Sequence, residues 1–287
     1  MYYQEIESVF RENLASRYME GIHLPEMFKG AVTSLKEGRH IVIVTGFVVK
    51  AAKAGETDGP PGALMLAKSF EQMGKKVTLI TDPINEHILR EGIRVLGVEA
   101  PLIVVTDRTI DEVTENLLIK NQVSHLLAIE RPSCSSDGHF YSMRGECISD
   151  YVTNTDILFH RAKELGIITI GIGDGGNEVG MGSIRDYVCD EVPMGAQICA
   201  TTEVTYLLIG GVSNWVAYGL SAALSIEVEA MLMHDAQVEA FLLHRLVAAG
   251  AVDGMDKKQI VKVDGIELKK NLEILETIRQ IVKRYLL

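Results

Sequence analysis

Short apolar runs alternate along the first part of the chain with longer stretches in which apolar positions recur at helical spacing. HIVIVTGF (40–47), KVTLIT (76–81), PLIVVT (101–106), SHLLAIE (124–130) and GIITIGI (166–172) are rich in Val, Ile and Leu. They lack strict polar alternation, as strands buried on both faces do. Between them, 61–74, 85–97, 108–121 and 153–166 carry helical periodicity, and all but 108–121 end at glycine, the usual residue after a helix C-terminus. Strand and helix repeated in this way predict an α/β fold, a mostly parallel sheet covered by helices.

After residue 183 the pattern changes. VTYLLIGGVSNWVAYGLSAALSIEVEAML reads as a strand, a turn at GGVSN and a long buried helix. Further helices are expected at 236–249 and about 266–285, separated by the turns GAVDGMD and KVDG. The N-terminal stretch MYYQEIESVFRENLASRY reads as an amphipathic helix. With no repeat or linker, one domain over 1–287 is the expectation, with a helical subdomain from about 204–287 as a variant.

Residues 204–226 carry no formal charge and are long enough to span a bilayer. The run is broken by Gly210, Gly211, Ser213 and Asn214, and its flanks are acidic, so a buried strand and helix are expected instead. The net charge of −11 disfavours nucleic acid and anionic membranes as partners. Four cysteines without paired spacing and an acidic N-terminus suggest a reducing, cytoplasmic setting. The apolar C-terminal half is compatible with a homodimer.

Ligands of open α/β sheets gather beyond the carboxyl ends of the strands. Four unusual loops begin there: 46–62, 131–150, 171–182 and 211–215. The third, GIGDGGNEVGMG, matches a dinucleotide fingerprint through Gly171, Gly173 and Gly176. Asp174 and Glu178 would repel phosphate, so no nucleotide cofactor is expected. Asp174, Asn177 and Glu178 instead suit a hard divalent cation, Mn²⁺ or Mg²⁺, although a solvated turn is an equally good reading of the spacing.

The other loops carry further candidates. In ETDGPPG, Glu56 is a candidate base or ligand, Thr57 and Asp58 are candidate caps, and Gly59 and Gly62 offer N–H donors at a helix start. In 130–150, Glu130, Arg131, Asp137 and Arg144 mix acids and arginines, as recognition of an amino acid or dicarboxylate needs, or as a surface loop laced with ion pairs has. In GVSNW, Ser213 and Asn214 sit at a turn where capping is the favoured role.

Taken together, VTGF, ETDGPPGALMLA, GKKVTLITD, AIERP…DG…Y.MRG, TIGIGDGGNEVGMG, GGVSNW and the late VDG turns resemble the D-glutamate cyclase family. The resemblance runs from about residue 10 to the end and is to the stand-alone microbial type, without the extra N-terminal domain of the mitochondrial form. Ser133 and Cys134 depart from the family pattern. The resemblance implies a carbon–oxygen lyase closing D-glutamate, or a related small amino or hydroxy acid, to 5-oxo-D-proline with loss of water. It implies catalytic roles for Glu56, Asp58, Glu130 and Asp137, and a metal on Asp174, Asn177 and Glu178. Substrate contacts are expected from Thr57, Gly59, Gly62, Arg131, Arg144, Ser213 and Asn214, with Arg131 or Arg144 on the α-carboxylate of a small anionic metabolite. A metal-dependent hydrolase or phosphatase, or a non-catalytic metabolite-binding protein, would also suit the acidic residues.

Overall fold

In the computed structural model, which describes residues 1–287, six apolar runs pair in parallel. They are β1 (His40–Thr45), β4 (Lys76–Thr81), β5 (Leu102–Val104), β6 (His125–Ile129), β7 (Ile168–Gly173) and β8 (Tyr206–Ile209). Two-residue strands form two small hairpins, β2 (Val48–Val49) with β3 (Ala54–Gly55) and β9 (Lys262–Val263) with β10 (Ile266–Glu267). The sheet order is β5-β4-β1-β6-β7-β8. The chain therefore winds outward from β1 to β5, returns beside β1 as β6, and winds the other way. That reversal opens a crevice beyond the carboxyl ends of β1 and β6, where Thr45 pairs with Ile129.

Because side chains alternate along a strand, each strand feeds two cores. Ile41, Ile43, Leu127, Ile129, Ile170 and Ile172 face the larger one. It is built with α1 (Tyr2–Phe10), α2 (Met27–Glu37), α3 (Pro60–Gln72), α4 (Pro83–Leu96), α9 (Ser213–Glu227), α10 (Ala236–Ala248) and α11 (Leu268–Leu286). Val42, Val44, Leu126 and Ala128 face the smaller one, covered by α5 (Ile110–Lys120) and α6 (Asp156–Glu164). The short helices α7 (Arg185–Glu191) and α8 (Gly195–Ile198) pack beside β8.

The uncharged run at 204–226 is β8 followed by α9. This helix is buried on nearly every side between α1, α3 and α11, which accounts for its apolar composition. No helix is long and apolar enough to cross a membrane.

The N-terminal amphipathic pattern does not run on to Tyr18. The helix stops at Phe10, Asn13 turns left-handed at φ 72°, and Leu14–Arg17 form a 3₁₀ turn. The cause is tertiary. The Gly211 N–H donates to the Phe10 carbonyl at 3.0 Å, and a Cβ on Gly211 would lie 1.8 Å from the Glu12 carbonyl oxygen. The chain end is thus clamped against the β8–α9 turn, and Arg17 is carried into the crevice.

Candidate active site

Two helix N-termini meet at the crevice. Gly62 makes the approach possible, since a Cβ there would sit 2.7 Å from Ala217 Cβ and 3.1 Å from Asn214 Cα. The caps are exchanged between the helices. Asp58, just before α3, accepts from the backbone N–H groups of Ser213 (2.8 Å) and Asn214 (2.9 Å) in α9, and from Gly59. Asn214 Oδ1 accepts from Gly59 (3.0 Å) and Gly62 (2.9 Å) at the start of α3. Thr57 is fastened by its backbone N–H to the Val252 carbonyl and by its hydroxyl to the Lys262 carbonyl. Asp58, Thr57 and Asn214 hold the scaffold and do not line the cavity beside it.

Glu130 follows β6 directly with a left-handed backbone, φ 44°. That conformation costs a non-glycine residue about 1–3 kcal/mol and persists only where its surroundings enforce it. Here the Glu130 N–H donates to the Ile172 carbonyl, and Ser213 Oγ donates to Glu130 Oε2 at 2.6 Å. The strain turns the carboxylate into the crevice beside Glu56. The Glu56 carboxylate is buried yet accepts no hydrogen bond from the protein. The neighbouring loop passes close over it at Gly254, where a Cβ would lie 2.5 Å from Glu56 Oε2.

The glycine loop has filled its own anion site. Glu178 accepts from the backbone N–H groups of Asp174 (3.3 Å), Gly175 (2.8 Å) and Gly176 (2.7 Å). These are the kind of donors a phosphate-binding nest would present to a ligand. Gly171 is required because the loop returns across the strand, and a Cβ there would lie 2.4 Å from the Val179 carbonyl oxygen. Asn177 Nδ2 donates to the Tyr141 carbonyl at 2.7 Å, which leaves the buried Asn177 Oδ1 without a partner at the cavity wall.

Arg17 and Asp264 complete the floor. The Arg17 guanidinium meets Asp174 Oδ2 at 2.7 Å and also binds Asp264, which sits in the β9–β10 turn. Oxygens of Glu130, Asp174 and Glu178 come within 4.8 Å of one another, as do those of Asp58, Asp174 and Asp264. A cavity of about 90 Å³ opens over this group. Its floor includes Arg17, Glu56, Glu130, Asp174, Asn177 and Asp264, while Lys50, Arg144, Glu146 and Lys257 also line it.

Five of these carboxyls are displaced upward. Burial, then Asp264 and Asp58, hold Glu56 well above the ordinary carboxylate range. Burial, then Asp174 and Glu178, do the same to Glu130. Asp58 is raised by burial and Asp264 against the pull of its backbone donors, and Asp174 by burial against the pull of Arg17. Glu178 is raised by burial, with the loop N–H groups opposing. Burial works against the charge on Arg17, but Asp174 and Asp264 outweigh it and keep the guanidinium charged. So many carboxyls around one cation cannot all ionise, which makes the site a store of protons or a seat for a further cation.

Asp174 and Asn177 offer two cavity-facing oxygens from the set expected to hold a metal. The third member, Glu178, has both oxygens engaged by the loop. With the orphaned Asn177 Oδ1 and the nearby Glu130, the donor set fits a hard divalent ion. Arg144 lies at the cavity mouth. Arg131 does not: its fully buried guanidinium donates to Asp82 Oδ2 (2.6 Å), Thr155 Oγ1 (3.0 Å) and the Thr153 and Gly46 carbonyls. Asp137 is exposed and accepts from the Tyr141 hydroxyl at 2.6 Å, away from the cavity. Gly59 and Gly62 have their N–H groups committed to Asn214 and Asp58, while Ser213 reaches the site only through Glu130.

Sequence reasoning missed Arg17, Asp264, Lys50 and Lys257. Arg17 had no local signal, because it lies in a stretch that reads as an ordinary amphipathic helix. Asp264 had one. Asp253 and Asp264 share the tripeptide VDG, and Asp253 accepts from the backbone N–H of Gly265 at 2.7 Å, binding the two turns together.

Comparison with known proteins agrees with the family resemblance. The chain is 32% identical over 238 residues to the human protein "D-glutamate cyclase, mitochondrial". That match takes in 78% of this chain but only 38% of the human protein. A crystal structure of an exopolyphosphatase-related protein from Bacteroides fragilis aligns over 93% of this chain and 61% of its own, at 8% identity and a TM-score of 0.45. That likeness is too loose to carry an argument. The family model "D-glutamate cyclase-like, C-terminal" matches residues 6–279, and the chain belongs to that family.

Proposed function

We propose that this protein is a D-glutamate cyclase-like lyase that closes D-glutamate to 5-oxo-D-proline and water. The observation that carries the reading is the pairing of two buried carboxyls in one cavity, Glu56 without any hydrogen-bond donor and Glu130 held by Ser213. Membership of the cyclase-like family supports the substrate class.

The reaction joins the amine nitrogen to the side-chain carboxyl carbon and breaks one C–O bond of that carboxyl. Two protons of the substrate ammonium leave with the oxygen as water, so the enzyme only relays protons. Glu56 and Glu130 are suited to that relay. Burial raises their proton affinity well above that of an ordinary carboxylate, which suits them to take up a proton and return it. Ser213 fixes one oxygen of Glu130 and leaves the other for substrate. The cavity walls hold the chain folded so that amine and carboxyl meet, an orientational advantage that an extended amino acid in water lacks. A divalent ion on Asp174 and Asn177, when bound, would neutralise charge on the carboxyl under attack.

The test is conversion of D-glutamate and of L-glutamate by purified protein with Mn²⁺, Mg²⁺ or EDTA, read by chiral chromatography of 5-oxoproline. Product from the D-isomer is expected. No product from either isomer under any condition would remove the reading.

A further inference from the structure

The cavity has opposite charge at its two ends. Of the residues lining it, Glu56, Glu130 and Asp174 are buried around Arg17, while Lys50, Arg144 and Lys257 reach solvent at the mouth. These cations come from three separate segments. Lys50 is in the β2–β3 turn, Arg144 in the loop after β6, and Lys257 in the loop after Asp253, at φ 57°. None forms an ion pair. Lys50 Nζ donates to the Cys147 carbonyl at 2.8 Å, and Arg144 lies 4.0 Å from the Met255 sulfur. Glu146 is the one acid at that level, and it too lacks a salt bridge. In a chain with 39 acidic and 28 basic residues, three cations without a protein counter-ion lining one opening suit an anionic ligand.

We propose that Lys50, Arg144 and Lys257 form an anion-binding collar that receives the α-carboxylate of an amino acid whose ammonium group enters the acidic floor of the same cavity. This rests on the cyclase reading and assigns the residues that select a dipolar α-amino acid at that site. A free amine lacks the anion for the collar. A simple dicarboxylate lacks the cation for the floor. The collar also answers how a strongly acidic protein accepts an anionic metabolite: the charge is met at the entrance, before the buried carboxyls are reached.

The experiment is calorimetric titration of the full chain with D-glutamate and with its α-amide, which keeps the ammonium and side-chain carboxylate but lacks the α-carboxylate. Wild-type protein is expected to prefer D-glutamate by about tenfold or more, the usual worth of a charge-assisted contact. In an Arg144→Gln/Lys257→Gln double variant the ratio falls toward one, with Lys50→Gln giving a smaller fall. All these positions reach solvent, so an unchanged Tm confirms that the variants fold. A ratio unmoved in the double variant overturns the collar, and continued turnover of D-glutamate would then leave the cyclase reading standing. A collar-dependent ratio without any 5-oxoproline keeps the collar and removes the cyclase. Binding of neither compound by the wild-type protein overturns the collar.

Discussion

Asp58 and Asn214 cap each other's helices. The aspartate precedes α3 but accepts from the first N–H groups of α9, and the asparagine begins α9 but accepts from the N–H groups of Gly59 and Gly62. Each helix start therefore depends on a residue more than 150 positions away, at separations of 152 to 156 residues. The exchange fixes the angle between α3 and α9 and, through Ser213, the carboxylate of Glu130.

Replacing Asn214 with Ala is expected to cost about 0.5–2 kcal/mol, the range for loss of a helix cap. Asp58→Ala should cost a similar amount, and the double variant less than the sum, since both substitutions open the same junction. Urea unfolding of the four proteins measures this. Strict additivity would mean that the two caps act independently and that the junction is not one unit.

Arg17 is the only cation among the buried carboxyls of the floor, with its side chain 12% exposed. Arg17→Gln leaves Asp174 and Asp264 facing each other without it, and loss of one member of a buried ion pair costs about 3–5 kcal/mol. Adding Asp264→Asn should recover part of that loss. Chemical denaturation at neutral pH gives both values. A double variant no more stable than Arg17→Gln alone would mean that Arg17 acts through its Gly211 carbonyl contact and not through charge.

Much of this arrangement was legible before the structure. The strands and helices announce themselves by period, and most helix ends by glycine, because these signals are local. Arg17 was not legible, because the break after Phe10 comes from backbone contact with Gly211, a residue distant in sequence. Arg131 read as a substrate contact because two arginines among acids look the same whether their partner is a ligand or the protein. Its partner, Asp82, lies 49 residues earlier and carries no mark of the pairing. The fingerprint glycines stand out in the sequence, but nothing local marks Glu178 as the acceptor that fills the nest of Asp174, Gly175 and Gly176 amides.

The raised carboxyls give a pH dependence with a definite sign. Glu56 binds its proton more tightly when folded than when unfolded, where its value is near 4.5. Its contribution to stability is therefore full below that value and is lost as pH rises through the folded value. Thermal unfolding should show this contribution to wild-type Tm declining as pH rises above the unfolded value of about 4.5, and Glu56→Gln should flatten the decline. The variant gains most at the alkaline end, where wild type must ionise a buried group. A steeper fall in Glu56→Gln than in wild type would contradict the assigned direction.

Asp174, Asn177 and Glu178 share one loop but should separate by experiment. Glu178 accepts from the amides of Asp174, Gly175 and Gly176, so Glu178→Gln turns one acceptor into a donor facing an N–H group. Loss of a charge-assisted clasp of this kind costs about 1.5–3 kcal/mol. Hydrogen exchange at Gly175 and Gly176 should accelerate in that variant. Asp174→Ala and Asn177→Ala instead remove oxygens that face the cavity, and should abolish Mn²⁺ binding by calorimetry. In those two variants Glu178 is untouched, so protection at Gly175 and Gly176 should persist. If Mn²⁺ still binds Asp174→Ala at wild-type stoichiometry, the cation reading of this loop fails and the carboxyls are left as a proton store alone.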